Sequence, residues 1–306
     1  MVSPTLPYTE TATTIDAIGP DLLQNIVAKL PGTSFTSAAC VNRSWNILCD
    51  RILSRPNLSS ASSFNPSLQV AVEEVVNKVL SRPIRPHFAI ASVSSLFDLQ
   101  EAHQLISTRL GSQVPVITNS SCGIIGRDAV SDEFKEVLWD NGRPEAPIVL
   151  SESENGAIML VVGFLPGLKV GIIPLLKPTE IDATLYEFVF MYRRQEYVWI
   201  DKFVIDISKF SNSVSGCQSP AAMIISCCHD NVRSLRSRHE FLYGKNCLVL
   251  LKWLSPETVI VGDSGCQFRH TAGVNGNSRN STVNEDHVSA AVALVFVVDK
   301  NKNPDI

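Results

Sequence analysis

The chain has 306 residues, of which 45% are hydrophobic and 18% are charged, a balance that supports a packed core and excludes global disorder. The formal net charge of −4, without a dominant basic stripe, argues against nucleic acid as the main partner. No apolar run approaches the roughly 18–20 residues of a membrane-spanning helix, so no membrane association is expected.

The first residues carry little that could be buried. Residues 1–14 are rich in Thr and Pro and predict a flexible leader, without the basic and apolar regions of a signal peptide. The eight cysteines follow no regular spacing, and without a secretion signal we interpret them as reduced thiols. We therefore expect a cytoplasmic or nuclear protein.

Residues 15–56 show helical periodicity in three short segments. Gly19 can cap the first helix, Pro20 suits its first position, and Asp21 faces the positive end of its dipole. Thr33 or Ser34 can cap a second helix, and a third follows 42–44. A helical module of about 40 residues is marginally stable alone, so we expect it to dock onto a partner.

Residues 57–67 are rich in Ser and Asn and predict a linker. Residues 68–306 alternate between helix-like and strand-like stretches and predict a layered αβ domain, a mixed sheet flanked by helices, which makes the whole chain α+β. The predicted helices are 68–80, 98–110 and 232–242, and the predicted strands are 87–93, 114–118, 158–164, 169–174, 222–227, 258–261 and 290–298.

The first module resembles the F-box family. The resemblance is carried by the apolar spacing of residues 20–31 and by the segment 37–45, which ends in Asn42-Arg43-Ser44-Trp45. It implies that the module inserts into the Skp-type adaptor of an SCF ubiquitin ligase, and through it reaches a cullin scaffold. One departure is that Ile18-Gly19 stand where most F-boxes have Leu-Pro. The residues that the resemblance assigns to adaptor binding are Ile18, Pro20, Leu22, Leu23, Ile26, Leu30, Pro31, Val41 and Trp45.

The second region resembles the FIST domain more loosely. The resemblance is carried by a strand and small-residue turn at 116–126 and by a second stretch at 257–265. It implies a ligand site at the turn, with Ser120, Ser121, Cys122 and Gly123 as its residues. The family has a second, C-terminal half, which we expect to be missing from this sequence, so that the αβ domain is truncated.

Other candidate chemistry is weaker. Gly123 and Gly126 lack the remainder of a phosphate-binding motif and favour a tight turn. Cys227-Cys228-His229-Asp230 with Cys266 and His270 lacks zinc spacing, because adjacent residues of a strand point to opposite faces. A nucleophilic pair of Cys122 with His87 or His229 needs a closeness that sequence does not show. We expect no metal and no cofactor.

A locally basic middle region allows two interpretations, a solvated surface or a docking site for an acidic or phosphorylated target segment. It consists of Arg193, Arg194, Arg233, Arg236, Arg238 and Lys245.

Two functions follow from this sequence. The first is a substrate-recognition subunit, not an enzyme, in which the helical module binds the adaptor and the αβ domain binds an unknown target protein. The second is an αβ small-molecule sensor or enzyme to which the helical module adds an adaptor tether.

Overall fold

A computed structural model of the chain describes residues 15, 18–139, 156–176, 196–227, 254–264, 266–273 and 289–301. The chain divides into two compact units, one up to Arg55 with Ser81–Pro83 and one formed by Pro56–Leu80 and the chain from Ile84 onward. The first unit is helical and the second combines sheets with helices, which confirms the α+β class. Within these described ranges, no helix has both the length and the apolar character needed to cross a membrane.

Three helices make up the first unit, as the sequence predicts. They are α1 (Pro20–Val27), α2 (Gly32–Ala39) and α3 (Arg43–Leu53). Each helix contributes apolar side chains to one small core, which consists of Val27, Phe35, Ala38, Leu48 and Cys49.

The second unit contains three further described helices and eleven described strands. The helices are α4 (Leu68–Leu80), α5 (Leu99–Leu110) and α6 (Glu196–Ser215). The strands are β1 (Asn57–Ser63), β2 (Phe88–Ser94), β3 (Val116–Ser121), β4 (Gly123–Arg127), β5 (Phe134–Leu138), β6 (Ile158–Phe164), β7 (Leu168–Leu176), β8 (Ala222–Cys227), β9 (Val259–Ser264), β10 (Phe268–Thr271) and β11 (Ser289–Val298).

These strands form two mixed sheets and one hairpin. The first sheet has the order β1-β6-β2-β3-β10, with only β2 and β3 parallel. The second sheet has the order β7-β11-β8-β9, with only β8 and β9 parallel. Strands β4 and β5 form a separate antiparallel hairpin. The sequence predicts one mixed sheet, whereas the structure has two.

The two sheets pack face to face through bulky side chains. Phe88 of β2 meets Phe296 of β11 edge to face, with ring centroids 5.1 Å apart. Ile117 and Phe268 of the first sheet join the same core as Leu294 of the second. Because successive side chains of a strand point to opposite faces, the intervening residues of each strand face a helix layer.

Helices cover the two outer faces. Helices α4 and α5 pack on the first sheet, where β2 presents the small residues Ala89 and Ala91. Helix α6 packs on the second sheet, where β11 presents Ala291 and Ala293. The second unit therefore has four layers in the order helix, sheet, sheet, helix, and the central strands β2 and β11 each present two alanines to a helix.

Several predicted elements are confirmed with close boundaries. Helix α4 spans the predicted residues 68–80. The side chain of Asp98 accepts a hydrogen bond of 2.6 Å from the Glu101 N–H, so it caps α5 as predicted. Gly111 follows that helix with φ of +86°, a conformation that glycine adopts without strain.

The prediction of a linker at 57–67 is wrong for residues 57–63, which form β1 and pair with β6. Ser62 and Ser63 are fully buried, and Ser63 donates a hydrogen bond to Glu74 of α4. The Ser63 hydroxyl therefore has a partner, whereas none is found for the Ser62 hydroxyl among the described residues. Small side chains of this kind fit under a helix, although in composition they resemble a linker.

Helix α6 has no counterpart among the predicted elements. Its sequence is rich in Val, Ile, Phe and Ser, which form isolated helices poorly. Phe203, Val204 and Ile207 pack on the second sheet, and this tertiary contact stabilises the helix. The predicted helix at 232–242 lies outside the described residues.

A buried histidine links α5 to two strands of the first sheet. The His103 Nδ1 lies 2.9 Å from Thr118 Oγ1, and its Nε2 lies 2.7 Å from Thr271 Oγ1. Burial lowers the pKa of His103 to about 4, and the nearby His270 and Arg269 add to the effect. Burial also lowers the pKa of His270. Both side chains are therefore neutral in the folded protein near neutral pH.

This cluster predicts that the second unit loses stability as the pH falls from about 6.5 towards 4. In that window the unfolded chain binds a proton at residue 103 that the folded chain does not, which costs the folded state about 3 kcal/mol at the lower end. Calorimetric unfolding of the full chain between pH 7.5 and 4.5 should show a falling transition temperature, and a smaller fall in His103→Gln. Equal falls in both proteins would contradict the assignment.

Candidate functional site

The first helix begins as the sequence predicts. Gly19 occupies the N-cap with an extended backbone, Pro20 is at the first helical position, and Asp21 lies in the first turn. The Leu23 N–H donates to the Gly19 carbonyl at 3.1 Å, which closes the first turn. The half-buried Ile18 precedes this start. Pro20 stands one position later than the proline of most F-boxes, and the helix nevertheless starts regularly.

Helix α1 divides the residues assigned to adaptor binding between two faces. Leu23 and Leu30 pack against the core of the first unit. Leu22 and Ile26 point outward and are 57% and 43% exposed. These two residues are four positions apart, so they lie one above the other on the same side of the helix. The outward pair is available for a partner, whereas the inward pair holds the three helices together.

The second helix begins earlier than predicted. Its N-cap is the extended Pro31, not Thr33 or Ser34, because the helix already includes Gly32. The side chains of Thr36 and Ser37 donate hydrogen bonds to carbonyls four residues back, within the helix itself. Pro31 is exposed at this junction.

One asparagine caps the third helix, and another ties it to the second. The Asn42 side chain accepts a hydrogen bond of 2.8 Å from the Trp45 N–H and so caps α3. The Asn46 Nδ2 donates to the Ala39 carbonyl at 3.1 Å, across the turn. Trp45 is partly buried against the core. Trp45, which the resemblance assigns to adaptor binding, thus packs against the core of the first unit.

Two more apolar side chains of this unit are exposed at the turn and on α3. Val41, which the sequence assigns to adaptor binding, is exposed, and so is Ile47, which it does not assign. Ile47 could have been found, because it lies off the stripe formed by Trp45, Leu48, Cys49 and Ile52. An apolar residue off the core-facing stripe of a short helix indicates contact with a partner.

The serine-rich segment predicted as a ligand turn is mostly strand. Ser120 and Ser121 end β3, and Gly123 begins β4. The Ser120 hydroxyl accepts a hydrogen bond of 2.9 Å from the Gln267 N–H, and the Ser121 hydroxyl donates to the Gly123 carbonyl. The Cys122 carbonyl accepts from the Trp139 N–H at 2.7 Å. These groups hold neighbouring strands together, and a ligand role for them stays a prediction.

The other candidate chemistry is only partly covered by the described residues. Cys227 and Cys266 come close, with the Cys266 Sγ 3.7 Å from the Cys227 carbonyl oxygen. Cys228, His229 and the basic residues 193, 194, 233, 236, 238 and 245 lie outside these ranges. In the part of the chain that the structure describes, no group of three His, Cys, Asp or Glu side chains could hold a metal ion.

The cap of α3 predicts a measurable stabilisation. Asn42→Ala removes the acceptor of the Trp45 N–H and should destabilise the helix by about 1 kcal/mol. Hydrogen exchange of the α3 amides in the full chain should accelerate accordingly. Asn42→Asp keeps an acceptor at the same position and should exchange as the unmodified chain does. Equal acceleration in both variants would show that the cap does not stabilise α3.

Comparison with known proteins agrees with the family resemblance of the helical unit. Residues 15–57 match the family model described as the F-box domain. The chain is also 36% identical over 288 residues to an F-box/LRR-repeat protein of Arabidopsis thaliana. This alignment covers 94% of the chain but 49% of the relative, so the chain spans about half the length of the curated protein it matches. Residues 15–57, which contain the three packed helices and their exposed apolar side chains, are an F-box domain.

Proposed function

We propose that the chain is a substrate-recognition subunit of an SCF-type ubiquitin ligase. In this proposal the F-box domain binds a Skp-type adaptor and, through it, a cullin scaffold, while the second unit binds a target protein. The observation that carries the proposal is the outward pair Leu22 and Ile26 on a helix of a matched F-box domain. The chain then acts by proximity rather than by bond chemistry, since it raises the local concentration of the target at the ligase.

Burial of the exposed pair contributes favourable free energy to docking. Full burial of a leucine or isoleucine side chain contributes about 1.5–3 kcal/mol, and both side chains are close to half exposed or more in the free chain. Val41 and Ile47 add apolar surface on the same small unit, and Pro20 and Pro31 are exposed as well. Leu23, Leu30 and Trp45 contribute indirectly, because they hold the three helices in place.

The second unit supplies the surface for a target in this proposal. Its four-layer arrangement is distinct from a repeat array, and no repeated strand-and-helix unit occurs among the described strands. We keep as proposals the FIST-type identity of this unit, its ligand turn at Ser120–Gly123, and a cytoplasmic or nuclear location. The resemblance of residues 116–126 and 257–265 to the FIST domain supports the first two, and the irregular spacing of the eight cysteines, interpreted as reduced thiols, supports the third.

The adaptor proposal predicts that Leu22→Asp and Ile26→Asp, made together, weaken binding to a purified Skp-type adaptor by at least about tenfold. A buried unpaired carboxylate opposes docking, whereas an exposed one leaves the helix intact. Leu23 is a poor test position because its side chain packs in the core. Surface plasmon resonance measures the affinity, and circular dichroism checks that the helices remain.

The matched control is Leu96→Asp together with Val70→Asp, which places the same two charges at equally exposed apolar residues of the second unit. It should bind the adaptor as tightly as the unmodified chain. Adaptor binding that survives in the variant with Leu22→Asp and Ile26→Asp would rule out docking through this face of α1.

A further inference from the structure

The hairpin of β4 and β5 has an apolar outer face. Its inner side is anchored by Ile124, which is 3% exposed and packs with Trp139. On the other side, Ile125, Phe134 and Leu138 are 54%, 67% and 50% exposed. Residues of one face alternate along each strand, so these three side chains share the outer face. Exposed apolar groups concentrated on one small sheet indicate a binding surface.

The two strands are held in a defined register. Gly123 lies opposite Leu138 and Ile125 lies opposite Glu136. A Cβ added at Gly123 would come 2.5 Å from the Leu138 Cδ2, so the leucine side chain lies over the glycine. The absence of a side chain at position 123 therefore sets the position of an exposed leucine.

The turn between the strands is rigid because Asp128 organises it. The Asp128 carboxylate accepts hydrogen bonds from the Val130 N–H at 3.2 Å and the Ser131 hydroxyl at 3.0 Å. It also forms an ion pair with Lys135 at 2.5 Å. Burial acts to raise the pKa of Asp128, but hydrogen bonds from Lys135, Val130 and Ser131 outweigh it and lower the pKa. The Asp128 carboxylate is therefore charged at neutral pH and keeps its hydrogen bonds to the turn.

The outer face of the hairpin carries one carboxylate, Glu136, for which the described residues supply no ion-pair partner. Lys135 is paired with Asp128, and Arg127 and Lys78 both pair with Asp132, at 3.6 and 3.0 Å. Within the described residues, Glu136 has no ion pair, and it lies on the outer face between Phe134 and Leu138. Strand β5 thus presents the side chains of Phe134, Glu136 and Leu138 on the outer face, in the order apolar, acidic, apolar.

The outer edge of the hairpin is β5. Its partner β4 makes the main contacts with β1, β6 and β2 of the first sheet. Strand β5 pairs with β4, and none of the other described strands lies along its second edge. An edge of this kind pairs readily with an extended segment, and the side chains of alternate positions then give specificity.

We infer that the β5 edge binds an extended segment of the target protein that carries apolar, basic and apolar residues at alternate positions. A basic residue beside Glu136 forms a cross-strand ion pair, and the flanking apolar residues cover Phe134 and Leu138. The inference rests on the proposed function, because it names the class of segment that the receptor recognises.

The test uses two synthetic seven-residue peptides and the full chain. One peptide has valine, lysine and valine at alternate positions separated by threonine, and the other has glutamate in place of lysine. Fluorescence anisotropy should show that the lysine peptide binds at least tenfold more tightly, and that Glu136→Lys reverses this preference. Phe134→Ser should weaken the binding of both peptides. Absence of binding, or a preference that Glu136→Lys leaves unchanged, would overturn the inference.

Three further measurements separate the alternatives. Glu257→Lys makes the same change of charge at an exposed glutamate beside the second sheet, and it should leave the peptide preference unaltered. The affinity of Glu136→Lys for the adaptor should equal that of the unmodified chain. A failure of peptide binding can therefore be distinguished from a failure of adaptor binding. Self-association of the unmodified chain in sedimentation, abolished by Phe134→Ser, would assign this face to a second copy and overturn the inference.

Discussion

The contact between the two sheets is the interaction on which the second unit depends. Sheets packed face to face lie about 10 Å apart, a gap that side chains from both faces must fill. Phe88 and Phe296 meet there, with Ile117 and Leu294 beside them. Because helices also cover the outer faces, the central strands β2 and β11 are largely buried on both sides and consist mainly of apolar residues.

In the first half of β11, the size of the side chains differs between the two faces of the strand. In β11 the residues Val292, Leu294 and Phe296 point to the other sheet, while Ala291 and Ala293 point to α6. Small residues let a helix approach closely, and larger ones fill the space between sheets. A slip of one residue in either strand would exchange the two sets, so packing on both faces specifies the register.

The F-box domain follows a different principle, since its core is too small to bury all of its apolar side chains. Val27, Phe35 and Leu48 fill the interior, while Leu22 and Ile26 stay outside. The same division appears in the β4–β5 hairpin, where Ile124 is buried and Phe134 is exposed. Both elements have stable internal contacts and outward apolar groups, which is the arrangement expected of surfaces that bind other proteins.

The sequence by itself determined the elements that local rules describe. Pro20 and Asp98 mark helix starts, Gly111 follows a helix end, and the apolar spacing of residues 20–31 identifies an F-box domain, because caps and helical periodicity act over a few residues. Only the tertiary structure decided the remainder. Residues 57–63 became a strand because a sheet and a helix cover their serines, and α6 formed because the second sheet holds it. The packing of the three helices also decided that Leu22 is exposed while Leu23 contacts the core. Exposure of this kind depends on residues that are distant in the chain.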